Sequence, residues 1–180
     1  MHHNLTGLWL LFLFSMPPHN NYNKLRIVHL NINSLRYKVD DLELFLSDND
    51  IDIAFISETK VQYTIPDQLL LISGYEMYRK DRSNSSGPGG GLIAYYRDYL
   101  CLTQHNSISS PSDCEIQIFK LNLNKQDYTF KHIYRPPSQS ASRFLSFLED
   151  DFMAENNIQN TIILGDLNMN WLIEDNVIKT

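Results

Sequence analysis

The sequence predicts an α/β fold with parallel strand pairs, and three observations carry that prediction. Short β-branched runs alternate with amphipathic helical stretches, strand–helix–strand in the first half and again in the second. Each crossover delivers its last strand into an acid or an amide. The chain of 180 residues, 43% of them hydrophobic, is long and apolar enough to bury a core, with one domain as the default.

The formal net charge is -6, so strong non-specific binding to nucleic acid, which draws on Lys and Arg against phosphates, is not favoured. A phosphodiesterase is not excluded, because bound divalent ions reset the local charge. Cys101 and Cys114 form no C-x-x-C and no zinc pattern, which suits two thiols in a reducing compartment. Residues 8–14 (LWLLFLF) fall short of the roughly 20 residues needed to span a bilayer. They resemble a signal-peptide core, but no Lys or Arg precedes them and SMPPHNN is not a small-x-small cleavage site. Residues 1–24 are therefore expected to be a leader and Pro/Asn-rich linker. The folded domain of an intracellular protein without a membrane span would then occupy residues 25–180.

In chain order, residues 25–30 (LRIVHL) read as a strand that runs into Asn31-Ile32-Asn33-Ser34. Residues 38–46 place Val39, Leu42, Phe45 and Leu46 at helical spacing, with Asp40, Asp41 and Glu43 as a solvated face. Residues 51–57 (IDIAFIS) have the apolar pattern of a central strand, and Glu58 follows at once. A strand, a helix and a strand imply a parallel crossover. Asn31, Asn33 and Glu58 would then share one sheet edge. Residues 65–74 read as a loop with a short helical piece, and residues 75–79 and 92–96 as strands. Between those strands Arg79, Lys80 and Arg82 form the densest basic cluster, followed by residues 83–91 (SNSSGPGGG) as a mobile hairpin loop. No Walker-type lysine follows these glycines. Residues 115–121 and 128–134 read as a hairpin around residues 122–127. Ser140 is placed to cap a helix whose core face carries Ala141, Leu145, Leu148 and Phe152, with Phe144 and Phe147 beside them. Residues 161–164 (TIIL) are a buried strand that Gly165 is expected to end.

Asp166 and Asn168, two apart at a strand end, can aim a carboxylate and an amide at one point, where open α/β sheets bind ligands. A carboxylate activates water or holds a metal, and an amide donates to a phosphoryl oxygen. Read alone, the pair fits an Asx turn equally well. Asn31 and Asn33 repeat the spacing, for which an Asn-rich turn is the simpler account. Glu58 alone suits a loop residue paired with Lys60. Tyr134 and Arg135 at the hairpin's end can meet a phosphate, or be a packed aromatic beside an exposed arginine. The weight comes from the recurrence of polar strand ends.

The ordered set NINSL, ISETK, GGGLIAYY, IYRPP and ILGDLN resembles the endonuclease/exonuclease/phosphatase superfamily, above all the apurinic-endonuclease-like domain of non-LTR retrotransposons, over about residues 25–171. The resemblance implies a four-layer α/β/β/α sandwich and Mg²⁺- or Mn²⁺-dependent hydrolysis of a DNA phosphodiester. In that family the nick primes target-site synthesis by the reverse transcriptase domain of the parent polyprotein, a nuclear reaction. It also implies roles. Glu58 is similar to the metal carboxylate and Asn31 to its companion ligand. Asn33 and Arg135 lie on the side of the substrate phosphate. Tyr134 looks like the tyrosine at the scissile phosphate, Asp166 like the residue that orients or deprotonates the attacking water, and Asn168 like the amide that stabilises the phosphorane.

The family continues past GDLN with a further acid and a Ser-Asp-His motif. Here Ser112-Asp113 precedes GDLN and runs into Cys114, and none of the six histidines follows Asp166. The expectation is a domain incomplete at its C-terminus, with nicking impaired. The alternatives are a non-catalytic transposon remnant, and a phosphomonoesterase or lipid phosphodiesterase of the same superfamily.

Overall fold

The computed structural model describes residues 9–15, 24–82, 89–105, 114–153 and 158–169. The first sheet contains β1 (Trp9–Ser15), β2 (Lys24–Asn31), β3 (Ile53–Ser57), β4 (Tyr75–Lys80) and β5 (Leu92–Arg97) in the order 1-2-3-5-4. The second contains β6 (Thr103–His105), β7 (Glu115–Leu123), β8 (Gln126–Tyr134) and β9 (Thr161–Asp166), in sequence order. Helix α1 (Val39–Asp48) links β2 to β3, and helix α2 (Ala141–Met153) links β8 to β9. Both linked pairs are parallel, as the two crossovers require; the other pairings are antiparallel.

Three apolar clusters separate four layers. Leu42 and Leu46 of α1 pack on Val28, Leu30, Ala54 and Ile56. Ile27, Ile53 and Phe55 face Phe119, Phe130 and Leu164 between the sheets. Phe144 and Leu148 of α2 cover Ile116, Ile118 and Ile133. Strand β3 shows the cause most plainly. Its side chains alternate between the helix layer and the opposite sheet, so both faces are buried and an unbroken apolar run results. Phe55 lies at the middle, within 5.8 Å of the rings of Phe119 and Phe130, centroid to centroid. This is the four-layer α/β/β/α sandwich expected from the resemblance.

Four sequence expectations need correction. Residues 9–15, assigned to a leader, form β1 and pair along their whole length with β2, because an apolar run without β-branched residues still supplies every backbone donor an edge strand needs. Gly165 does not end β9. The strand continues to Asp166, and Gly165 sits at φ +146 where a Cβ would lie 1.8 Å from the Ile133 carbonyl oxygen. The β7–β8 hairpin closes on Asn124 and Lys125 alone, both at positive φ, the primed two-residue turn that matches strand twist. The buried face of α2 is centred on Phe144, Leu148 and Asp151 rather than on Leu145, because the Lys131 ammonium on β8 draws Asp151 inward at 2.6 Å. Ser140 caps the helix as expected, its hydroxyl accepting the Arg143 N–H at 3.4 Å. Cys101 and Cys114 form no disulfide. Among the described residues, no helix is long and apolar enough to cross a membrane. The proline linker, residues 83–88, Ser112-Asp113, the Phe152 side chain and residues 170–180 lie outside the described residues.

Candidate active site

The ends of the two sheets meet. In the first, Asn31 pairs with Ser57, and Glu58 follows Ser57 directly. In the second, Glu115 pairs with Tyr134 and Tyr134 with Asp166, so three polar residues on adjacent strands form one row on one face. At this end, among the described residues, two hydrogen bonds between side chains bridge the sheets. The Asn31 amide donates from Nδ2 to Asp166 Oδ2 at 2.7 Å, and the Tyr134 hydroxyl donates to Glu58 Oε1 at 3.2 Å. Glu58, Asn31, Tyr134 and Asp166, separated in sequence by up to 135 positions, thus converge at one end of the sandwich.

The backbone around them is unusual. Asn33, Ser34, Glu58, Lys60 and Asn168 all have φ between 45° and 82°. A non-glycine residue in that region costs about 1–3 kcal/mol and persists where the surroundings over-determine it. Here they do. The Glu58 and Thr59 carbonyls accept from Ser34 and Leu35, both at 2.8 Å, while the Thr59 and Lys60 N–H groups donate to Gly91 and Gly90 at 3.2 and 2.9 Å. The Glu58 loop is held from both sides.

Asp166 and Asn168 form the Asx turn that their spacing allows. The Asn168 N–H donates to Asp166 Oδ1 at 3.1 Å, an Asx turn, and that turn presents the carboxylate to Asn31. The exposed Asn168 also donates from Nδ2 to the Arg135 carbonyl at 2.8 Å, which leaves its second amide N–H unspent on this bond. Glu58 has the Lys60 partner of the loop reading and a second partner on the other sheet. Lys60 Nζ lies 3.7 Å from Oε2, while Tyr134 takes Oε1. Asn33 is exposed, its N–H on Asn31 Oδ1 at 3.1 Å and its side-chain oxygen accepting from Lys60.

Arg135 departs from expectation. It is buried, and its guanidinium donates to the Leu167 carbonyl at 2.6 Å and to the carbonyls of Asn168 and Gln139. It clamps the Asp166–Asn168 turn to β8, because the turn's carbonyls have no ladder partner beyond the strand end. The basic cluster is also internal. Arg79 pairs with Asp67 at 2.7 Å and Asp81 at 2.6 Å, and Lys80 donates to the Ile116 carbonyl at 2.8 Å. Arg82 faces Glu115 at 3.7 Å. Glu115 is the residue that sequence reasoning missed. Its signal was the one that found the others, a polar residue in the same end row, but it opens its strand where the others close theirs.

Burial, reinforced by the Glu58 carboxylate, pushes the Tyr134 hydroxyl up to about 12, so it is a proton donor across the neutral range. Among the described residues no three His, Cys, Asp or Glu side chains group closely enough to hold a metal by themselves. The donor set is instead all oxygen: one Glu58 carboxylate with a loosely paired Oε2, the Asn31 Oδ1 and the Asp166 carboxylate. That set fits a hard cation of the Mg²⁺ kind, which takes few protein carboxylates and keeps waters and phosphate oxygens.

Among known proteins, the chain is similar to the RNA-directed DNA polymerase from mobile element jockey of Drosophila melanogaster, at 27% identity over 128 residues. That match covers 71% of this chain and 13% of the relative. Among solved structures it is similar to the endonuclease domain of TRAS1, a telomere-specific non-LTR retrotransposon, with TM-score 0.60 and 16% identity. It also resembles an AP endonuclease from Archaeoglobus fulgidus, with TM-score 0.57 and 18% identity. Each superposition covers 81% of this chain, and respectively 60% and 58% of the solved one, so the chain spans under two thirds of these relatives. The sequence model of the endonuclease/exonuclease/phosphatase family matches residues 28–175, and the chain belongs to that family.

Proposed function

We propose that this chain is a metal-dependent phosphodiesterase domain, the DNA-nicking endonuclease of a non-LTR retrotransposon. The observation that carries the reading is the convergence of Glu58, Asn31, Tyr134, Asp166 and Asn168 where the sheets meet. The similarity to a mobile-element polymerase supports the transposon part. In that setting the nicked 3′-hydroxyl primes a reverse transcriptase domain of the same polyprotein, in the nucleus.

Nucleases of this family generally use divalent metal ions. Glu58 with Asn31 would hold Mg²⁺ or Mn²⁺, which when bound offsets charge developing on the phosphate and lowers the pKa of water. The remaining work falls to side chains whose positions are fixed. Two N–H donors orient Asp166, so one lone pair can receive a proton from a water in line with the phosphorus. Asn168 offers its second amide N–H to the charge that builds on a phosphoryl oxygen. Tyr134, protonated at neutral pH, donates toward a non-bridging oxygen when substrate competes with Glu58 for its hydroxyl. Asn33 lines the same rim. Arg135 positions the Asp166–Asn168 turn rather than the substrate.

The test is conversion of supercoiled plasmid to open circle with Mg²⁺, run at high protein concentration beside Asp166→Ala. Nicking that exceeds the Asp166→Ala rate supports the reading. Equal rates contradict it, and phosphate release from a phosphomonoester or a phospholipid would shift the assignment within the family.

A further inference from the structure

The glycine turn before β5 is held from two sides. Glu115 is buried at 6% exposure, and its Oε2 accepts the Gly91 N–H at 2.6 Å. On the far side, the carbonyls of Gly91 and Gly90 accept the N–H groups of Thr59 and Lys60. The space is fully used. A Cβ on Gly90 would lie 2.1 Å from Glu115 Oε1, and one on Gly91 would lie 2.4 Å from Thr59 Oγ1. Both glycines have φ in the left-handed region, +71° and +90°. The described end of the glycine stretch is therefore neither a phosphate cradle nor a slack hairpin tip. It is a spacer one backbone thick, wedged between a carboxylate of the second sheet and the loop that carries Glu58. Arg82 Nε, 3.7 Å from Oε1, supplies the opposing charge that a buried carboxylate requires.

We infer that Glu115 is a positioning residue of the site, fixing the Glu58 loop through the Gly90–Gly91 turn. The route is continuous: Glu115 to Gly91, Gly91 and Gly90 to Thr59 and Lys60, and thence to Glu58, which by itself would relax from its φ of +51°. Outer hydrogen bonds that orient a ligating carboxylate are worth about 10–100-fold in metal affinity. That consequence rests on the metal reading of Glu58 given above; the placement of the loop does not.

Amide hydrogen exchange of the full chain, followed by NMR, tests the placement without metal. In Glu115→Ala, protection at Gly91, Thr59 and Lys60 is expected to fall at least about tenfold while the amides of β3 keep theirs. Glu115→Gln, which retains an oxygen toward Gly91, is expected to restore it. A parallel Mn²⁺ titration is expected to show Kd weakened about tenfold or more in Glu115→Ala and recovered in Glu115→Gln. Unchanged protection of Thr59 and Lys60 in folded Glu115→Ala overturns the proposal, as does equal loss in both variants. Should Glu115→Ala lose protection throughout β3, the folded Glu115→Gln decides by the same two amides. Absent Mn²⁺ binding by the wild-type chain would count against the metal reading alone, with the exchange result still standing for or against Glu115.

Discussion

Asn31 Nδ2 lies 2.7 Å from Asp166 Oδ2, a hydrogen bond between the last residue of β2 and the last residue of β9. It joins two sheets at the point where each runs out of ladder. Asn31→Ala should lower stability by about 1.5–3 kcal/mol, the range for a hydrogen bond to a charged group, measured by urea unfolding. Asn31→Asp is more informative. Without metal the two carboxylates repel and destabilise the fold; with Mn²⁺ they gain a shared ligand, so the melting temperature should rise further on adding Mn²⁺ than it does for wild type. An equal Mn²⁺ response in the two proteins would argue against Asn31 as a ligand.

Arg135 serves three carbonyls with a planar fork that an ammonium cannot reproduce. Arg135→Lys should therefore cost about 1–3 kcal/mol of stability and raise amide exchange at residues 167–169. Stability equal to wild type with weakened DNA binding would instead restore the phosphate role that the sequence suggested.

Gly165→Ala tests a close backbone approach in the second sheet. A methyl group 1.8 Å from the Ile133 carbonyl cannot be accommodated by a rotamer change, because the clash is with main chain. The β8–β9 pairing must part there, and Asp166 moves with it. We expect a loss of more than about 3 kcal/mol by thermal or denaturant unfolding, in the range reserved for severe strain. A loss under about 1 kcal/mol would show that β9 is not seated as described.

Much of the fold is legible in the sequence. Strand β3 announces itself because burial on both faces leaves an uninterrupted apolar run, and the crossover rule then aligns Asn31 with Glu58. The resemblance supplies what periodicity cannot, namely that two sheets stack. The misreadings share a cause. Residue type alone places Arg135, Arg82 and Glu115 among surface charges, yet Arg135 serves the carbonyls of Leu167 and Asn168, and Glu115 meets the Gly91 N–H and the Arg82 guanidinium, partners more than twenty residues away in sequence. Residues 9–15 look like a leader because hydrophobicity without alternation is the same for an added strand as for a targeting segment. Gly165 looks like a stop because a glycine that permits close strand approach is indistinguishable, in one sequence, from one that ends a strand.

Between the sheets, His29 and His132 stack edge to face with centroids 5.8 Å apart. Burial lowers His29 to about 4, and burial together with His29 lowers His132 well below its usual value. Folded values depressed below 6.5 mean that, as pH falls, the unfolded chain takes up protons first; stability is full above about 6.5 and is lost progressively toward 4. Each tenfold loss of proton affinity on folding corresponds to about 1.4 kcal/mol, so the melting temperature should drop by at least about 3 °C between pH 7 and pH 5. His132→Phe, packed beside Phe55, should flatten that slope. A wild-type slope matching the variant's would place the acid sensitivity elsewhere.

The most direct test of the site is Mn²⁺ binding to the wild-type chain and to Glu58→Gln, followed by electron paramagnetic resonance. The amide keeps the shape of the side chain and an oxygen for the Tyr134 hydroxyl, and removes only the charge. Since loss of outer partners alone costs about 10–100-fold, loss of the carboxylate should weaken Kd by at least about tenfold. Equal Kd values in the two proteins would contradict Glu58 as the ligand, and with it the metal centre on which the proposed phosphodiesterase depends.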